Sequence, residues 1–176
     1  CPGFGPPTPP AARSSSVSAL TSKTPWSWSA AACSRNAGLI CCAISVDDGK
    51  VERIAEVKGP LGFFVTSLAF DPATKTLFYT TDNADHRDVR SLDPKTGATK
   101  ILLKEARIGE IVFDKADRSL WGVRVMNGIS TLVRIPAPYT EWTQVRSWPY
   151  GEALYDMDLS PDGSLLSFSV SSVTGQ

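Results

Sequence analysis

The one stretch with the makings of a reactive site is Asp82-Asn83-Ala84-Asp85-His86-Arg87-Asp88. Three carboxylates, an amide and the chain's single histidine fall within seven residues there. Clustered oxygens suggest a hard cation, but the ordered spacing and central glycine of a calcium loop are missing. His86 has no companion His or Cys at zinc-ligand spacing. A Ser-His-Asp triad would have to use His86, and the Gly-x-Ser-x-Gly elbow that presents such a serine is absent. Neither a phosphate-cradling P-loop nor a dinucleotide glycine fingerprint occurs. The four cysteines (Cys1, Cys33, Cys41, Cys42) contain no Cys-x-x-Cys, and the adjacent Cys41-Cys42 is a poor metal or disulfide unit. The sequence therefore predicts no catalytic residue, no metal and no cofactor.

The remaining candidates are binding residues, and their placement depends on the elements around them. The chain has 176 residues, with 18 Lys+Arg against 18 Asp+Glu. A net charge of zero leaves no basic excess to release counterions, which argues against nucleic acid as a partner. The longest apolar run, Ala37 to Val46, is about half of the roughly 20 residues a spanning helix needs, so no transmembrane segment is expected. The balance conceals an asymmetry. Residues 1–46 carry only Arg13, Lys23 and Arg35, whereas all 18 acids follow. All four cysteines and a Pro/Ser/Ala-rich composition also belong to that first part. Residues 1–42 read as a low-complexity leader, disordered for want of apolar content, or as a transit-like segment, or as the product of a shifted frame or an excised fragment. Residues 43–176 read as the folded segment.

That segment repeats. Ala69-Phe70-Asp71-Pro72 with Thr76-Leu77-Phe78-Tyr79 is matched by Val112-Phe113-Asp114-Lys115 with Ser119-Leu120-Trp121-Gly122. Both are matched by Asp158-Leu159-Ser160-Pro161-Asp162-Gly163 with Leu165-Leu166-Ser167-Phe168. Asp71 to Asp114 is 43 residues, and Asp114 to Ser160 is 46. A second pattern interleaves with the first, with Val46 matched to Leu92 and Leu92 to Ile135. Each pattern is an apolar stretch, a turn signal and another apolar stretch, which is the mark of a hairpin. Asp48-Gly49 and Asp162-Gly163 are the clearest turns, because glycine supplies the positive φ.

Strands a to d are predicted at about 66–71, 76–81, 88–93 and 98–103, then at 109–114, 119–125, 130–135 and 141–147. An a–b pair follows at 154–159 and 165–170, and a c–d pair precedes at 43–47 and 50–57. Four antiparallel strands per roughly 44 residues mark a β-propeller blade. The expected fold class is therefore all-β, a partial propeller of about two whole blades and two half blades. A self-contained β-sandwich or an open solenoid is the competing architecture.

The Ser160-Pro161-Asp162-Gly163 turn and its flanking strands resemble the WD-like propeller repeats of bacterial TolB-type proteins. Phe70 to Tyr79 is similar with a longer turn, and Phe113 to Trp121 departs further, with Lys115 where proline is usual. The resemblance covers about 44–170. It implies a periplasmic or cell-envelope setting and a scaffold role, with a protein partner or the remaining blades of the same propeller as what it binds. Related propellers also cap peptidases, so an accessory propeller of a larger hydrolase is the alternative. A metal-dependent lactonase built on Asp82, Asp85 and Asn127 is a third reading.

In an a-b-c-d meander the d–a and b–c loops emerge at one end. These loops carry the candidate binding residues: Phe63 and Phe64 before the first strand a, then Asp82, Asp85 and His86, then Arg107, Arg124, Trp148 and Tyr150. Exposed aromatics beside charges are what protein interfaces use. The competing expectation is that Phe63, Phe64 and Trp148 seal the packing between blades.

Overall fold

The computed structural model describes residues 38–45, 47–58, 64–82 and 87–172. Twelve strands and no helix occur among them. These are β1 (Gly38–Ile44), β2 (Val51–Lys58), β3 (Phe64–Asp71), β4 (Thr76–Asp82), β5 (Val89–Leu92), β6 (Thr99–Leu103), β7 (Ile108–Phe113), β8 (Leu120–Met126), β9 (Ile129–Ile135), β10 (Thr143–Ser147), β11 (Glu152–Leu159) and β12 (Leu166–Ser172). All pairing is antiparallel between chain neighbours. It gives the four-stranded sheets β3-β4-β5-β6 and β7-β8-β9-β10 and the two-stranded sheets β1-β2 and β11-β12. The fold is all-β, and the sheets are not closed into a barrel or ring among the described residues.

The repeat seen in the sequence is a repeat of register. Phe70 pairs Leu77, Phe113 pairs Leu120, and Leu159 pairs Leu166, each beside the turn between the first two strands of its sheet. Leu77 then pairs Leu92, and Leu120 pairs Ile135. The second pattern needs a correction of two residues. Ser45 N–H bonds the Lys50 carbonyl and Gly49 N–H the Ser45 carbonyl, just as Asp93 N–H bonds Ala98 and Gly97 N–H bonds Asp93. The turn thus matches Ile44, not Val46, to Leu92. The turn hydrogen bonds fix the register, and hydrophobic pattern alone cannot count the residues in a turn. For the same reason β1 occupies Gly38–Ile44 rather than 43–47, and it begins inside the segment set apart as the leader.

Strand residues alternate faces, and both faces of the four-stranded sheets are apolar. One face of the first sheet presents Phe78 and Val89 to Ile108, Ile111, Leu120, Val133 and Ile135 of the second. Phe78 stacks on Phe113 at 5.9 Å and meets Tyr139 at 4.7 Å. The other face of the second sheet gives Val123 and Leu132 to Leu154 and Met157 of β11. The far face of the first sheet holds Leu77, Tyr79 and Leu92. Strand β3 lies against β7, and β7 against β11. β1 touches β3 as β9 touches β11.

Side chains bridge the first strands of successive sheets. Register shifts mark a bulge in each, at Val65/Ser67, Ile108/Glu110 and Tyr155/Asp158. At the first junction Ser67 Oγ accepts from Ile111 N–H at 3.1 Å. At the second, Glu110 accepts from Asp156 N–H at 3.1 Å and Met157 N–H at 3.3 Å. Ser67 and Glu110 both stand four residues before the turn residue (Asp71, Asp114), so the two bridges are equivalent.

The turn aspartates are structural. Asp71 is buried, accepts from Ala73 N–H at 2.9 Å and Thr74 Oγ1 at 2.7 Å, and receives Arg118 of the next sheet at 2.7 Å. Burial works to raise its pKa, but the Thr74 hydroxyl, the two turn amides and Arg118 outweigh it and hold the carboxyl below its ordinary value. A carboxyl lowered on folding stabilises the protein above the unfolded value of about 3.9, and that contribution is lost as pH falls through the folded one. Replacing Asp71 by Asn should lower the urea midpoint at pH 7 and flatten the loss of stability below about pH 4. Urea titrations at pH 7 and pH 3 check this, and an unchanged acid slope contradicts it.

Candidate binding face

At the end shared by the β4–β5, β6–β7, β8–β9 and β10–β11 links, the described residues are tied together by hydrogen bonds. Asp82 ends β4, and Arg87 grips its carboxylate with two 3.1 Å bonds, Nε to Oδ1 and Nη2 to Oδ2. Both oxygens are engaged by the one guanidinium. Asp88 is buried: Oδ1 accepts from Glu105 N–H at 3.0 Å and Oδ2 from Arg90 at 2.9 Å. It locks the β6–β7 link to the start of β5, a role that counting it among the acids of a solvated loop does not suggest.

The main chain of Arg107 ties the two four-stranded sheets. Its N–H bonds the Arg87 carbonyl, and its carbonyl accepts from Val125 N–H, each at 3.0 Å. Glu105 and Arg107 both hold φ near +55°, at 54° and 57°. The Arg107 side chain is exposed. Arg124 is half-buried, its guanidinium 5.0 Å from the centre of the Trp142 ring.

The β8–β9 turn and the β10–β11 link form one surface. Trp148 N–H bonds Ser130 and Gly151 N–H bonds Gly128. Trp148 packs on the Val123–Met157 cluster, meets Phe168 edge-on at 5.3 Å, and carries Arg146 over its ring at 5.3 Å. It seals sheet against sheet, the competing expectation for this residue. Tyr150 does the opposite. Its ring lies on Gly128 and is 82% exposed. Met126 at 41% and Ile129 at 40%, which pair across the turn, share this exposure. Asn127 sits at the tip with φ 51°.

The structure thus joins Asp82 with Arg87, Arg107 with Val125 beside Arg124, and Tyr150 with Gly128. Phe63, Asp85 and His86 lie outside the described residues. Phe64 opens β3 opposite Asp82 in the ladder. Sequence reasoning missed Met126 and Ile129. Their signal was a short apolar-Asn-Gly-apolar turn, which places both flanking side chains at an exposed tip. No group of three or more His, Cys, Asp or Glu residues suited to a metal occurs among the described residues. No helix among them is long and apolar enough to cross a membrane. No protein-family model matches the chain, and no curated protein matches it.

Gly128 has φ 75°, and a Cβ there would lie 2.6 Å from Tyr150 Cε2. Gly128→Ala should cost about 1 kcal/mol and displace Tyr150. The checks are the urea midpoint and faster chymotryptic cleavage after Tyr150. A variant with native values for both contradicts the packing.

Proposed function

We propose that the sheets are blades of a β-propeller and that the chain is a non-catalytic scaffold module which binds protein through the face carrying Tyr150. The observation that carries the binding part is the exposed Met126-Ile129-Tyr150 patch on a turn held by main-chain hydrogen bonds. A large exposed aromatic on a preordered turn loses little entropy on binding, and Tyr and Arg are the residue types that anchor interfaces. Arg107, exposed and bonded through its carbonyl to Val125 N–H next to Met126, is the charged residue we assign to the rim of this face. The blade part rests on the equal registers and on the matched bridges of Ser67 and Glu110.

Each part has its own test. Peptides selected on the intact chain from a random peptide display library should bind Tyr150→Ala at least tenfold more weakly, a loss of about 1.4 kcal/mol. Equal affinity for both sinks the binding face. For the blades, the Ile111 amide should exchange roughly fivefold faster in Ser67→Ala, and the Met157 amide equally so in Glu110→Ala, because each loses one acceptor worth about 1 kcal/mol. If only one amide responds, the junctions are not equivalent and the blade reading fails.

A further inference from the structure

The arginines of this fold divide by place. Arg87, Arg90, Arg118 and Arg134 each pair an aspartate. Arg107, Arg124 and Arg146 pair no carboxylate among the described residues, and each borders the exposed Met126-Ile129-Tyr150 patch. Arg124 stands two residues before Met126 on β8, so the two side chains share a face, and its Nη2 lies 2.7 Å from the Met126 sulfur. The Arg107 carbonyl holds the N–H of Val125, between those two. Arg146 crosses the ring of Trp148, two residues before Tyr150.

The acids at this end are engaged elsewhere. Asp82 is held by Arg87, and Asp88 by Arg90 and the Glu105 amide. Glu110 accepts from two amides of β11. Glu105 and Glu152 form no ion pair with the three arginines. Arg124 is the arginine best placed for an incoming anion. It is half-buried, and its guanidinium is held between the Trp142 ring, 5.0 Å away, and the Met126 sulfur. A thioether is a weak acceptor, so this contact positions the group without satisfying its donors. The planar N–H fork of an arginine matches a carboxylate, which it can take through two bonds. Partial burial strengthens such a pair, and a side chain already held in place loses little entropy on forming it.

From this we infer that the partner at this face is an acidic protein segment. One Asp or Glu of the segment takes Arg124, and an apolar side chain next to it covers Met126, Ile129 and Tyr150. Arg107 and Arg146 supply the positive surroundings that orient the acid. The inference rests on the binding face proposed above and names the chemistry of its partner.

Peptides selected on the intact chain from a random display library should carry Asp or Glu beside Leu, Phe or Trp. One such peptide, synthesised, should lose roughly tenfold in affinity when its acid is exchanged for the amide, and as much on Arg124→Gln with the β circular-dichroism signal retained. Both changes together should weaken binding no more than either alone, because they break the same pair. Added salt should weaken the acid form and leave the amide form nearly unchanged. Neutral or basic selected peptides, or an amide form that binds as well as the acid, overturn the inference. If those peptides still weaken on Tyr150→Ala, the binding face stands without it. Peptides indifferent to both Tyr150 and Arg124 remove the face itself. Oligothymidine that binds more tightly than any selected peptide, and needs Arg124, overturns the inference in favour of a nucleic acid.

Discussion

A sheet with two apolar faces cannot stand alone in water. That single constraint organises this molecule. Phe78 and Val89 on one side of the first sheet, and Leu77, Tyr79 and Leu92 on the other, require a neighbour on each side. At roughly 25 cal/mol for each Å² of apolar surface buried, stacking sheet on sheet is the dominant gain available to a chain with no helix among its described residues. The pattern continues through Val123 and Leu132 to Leu154 and Met157. Where it stops, exposure rises, as along β12.

Stacking sets distance but not register, because apolar contact is non-directional. Register comes from polar detail. The bulge in β11 presents the Asp156 and Met157 amides to Glu110, and Ser67 accepts from Ile111 N–H just beyond the bulge in β7. Asp71 and Arg118 add a contact at the opposite end of the same junction. On the loop side, Asp88 and the main chain of Arg107 do the equivalent work. The Tyr150 surface is rigid because both of its loops are held in this way.

The all-β character and the strand order were legible in the sequence because the turns are local chemistry. Phe70, Phe113 and Leu159 fall in equivalent strands because each precedes a turn residue whose side chain bonds nearby amides. The first two turns share a left-handed residue four places after the aspartate, Lys75 at φ 58° and Arg118 at 61°, whereas the third places Gly163, at φ 72°, three residues after Ser160. Only the third turn advertises its left-handed residue with glycine, so the second repeat was harder to see. The two-residue shift at Ile44 and the early start of β1 were not legible, since the apolar run from Gly38 to Ile44 has no alternation to mark its edge. On the binding face, Trp148 and Tyr150 look alike in sequence. What separates them is tertiary: Leu154, Met157 and Phe168 cover one, whereas the other lies exposed beside Gly128.

The bridges differ in reach. A serine spans the first junction with one carbon, whereas a glutamate crosses the second with three and takes two successive amides at once. The longer arm places a carboxylate between β7 and β11, where the shorter one places a neutral hydroxyl between β3 and β7.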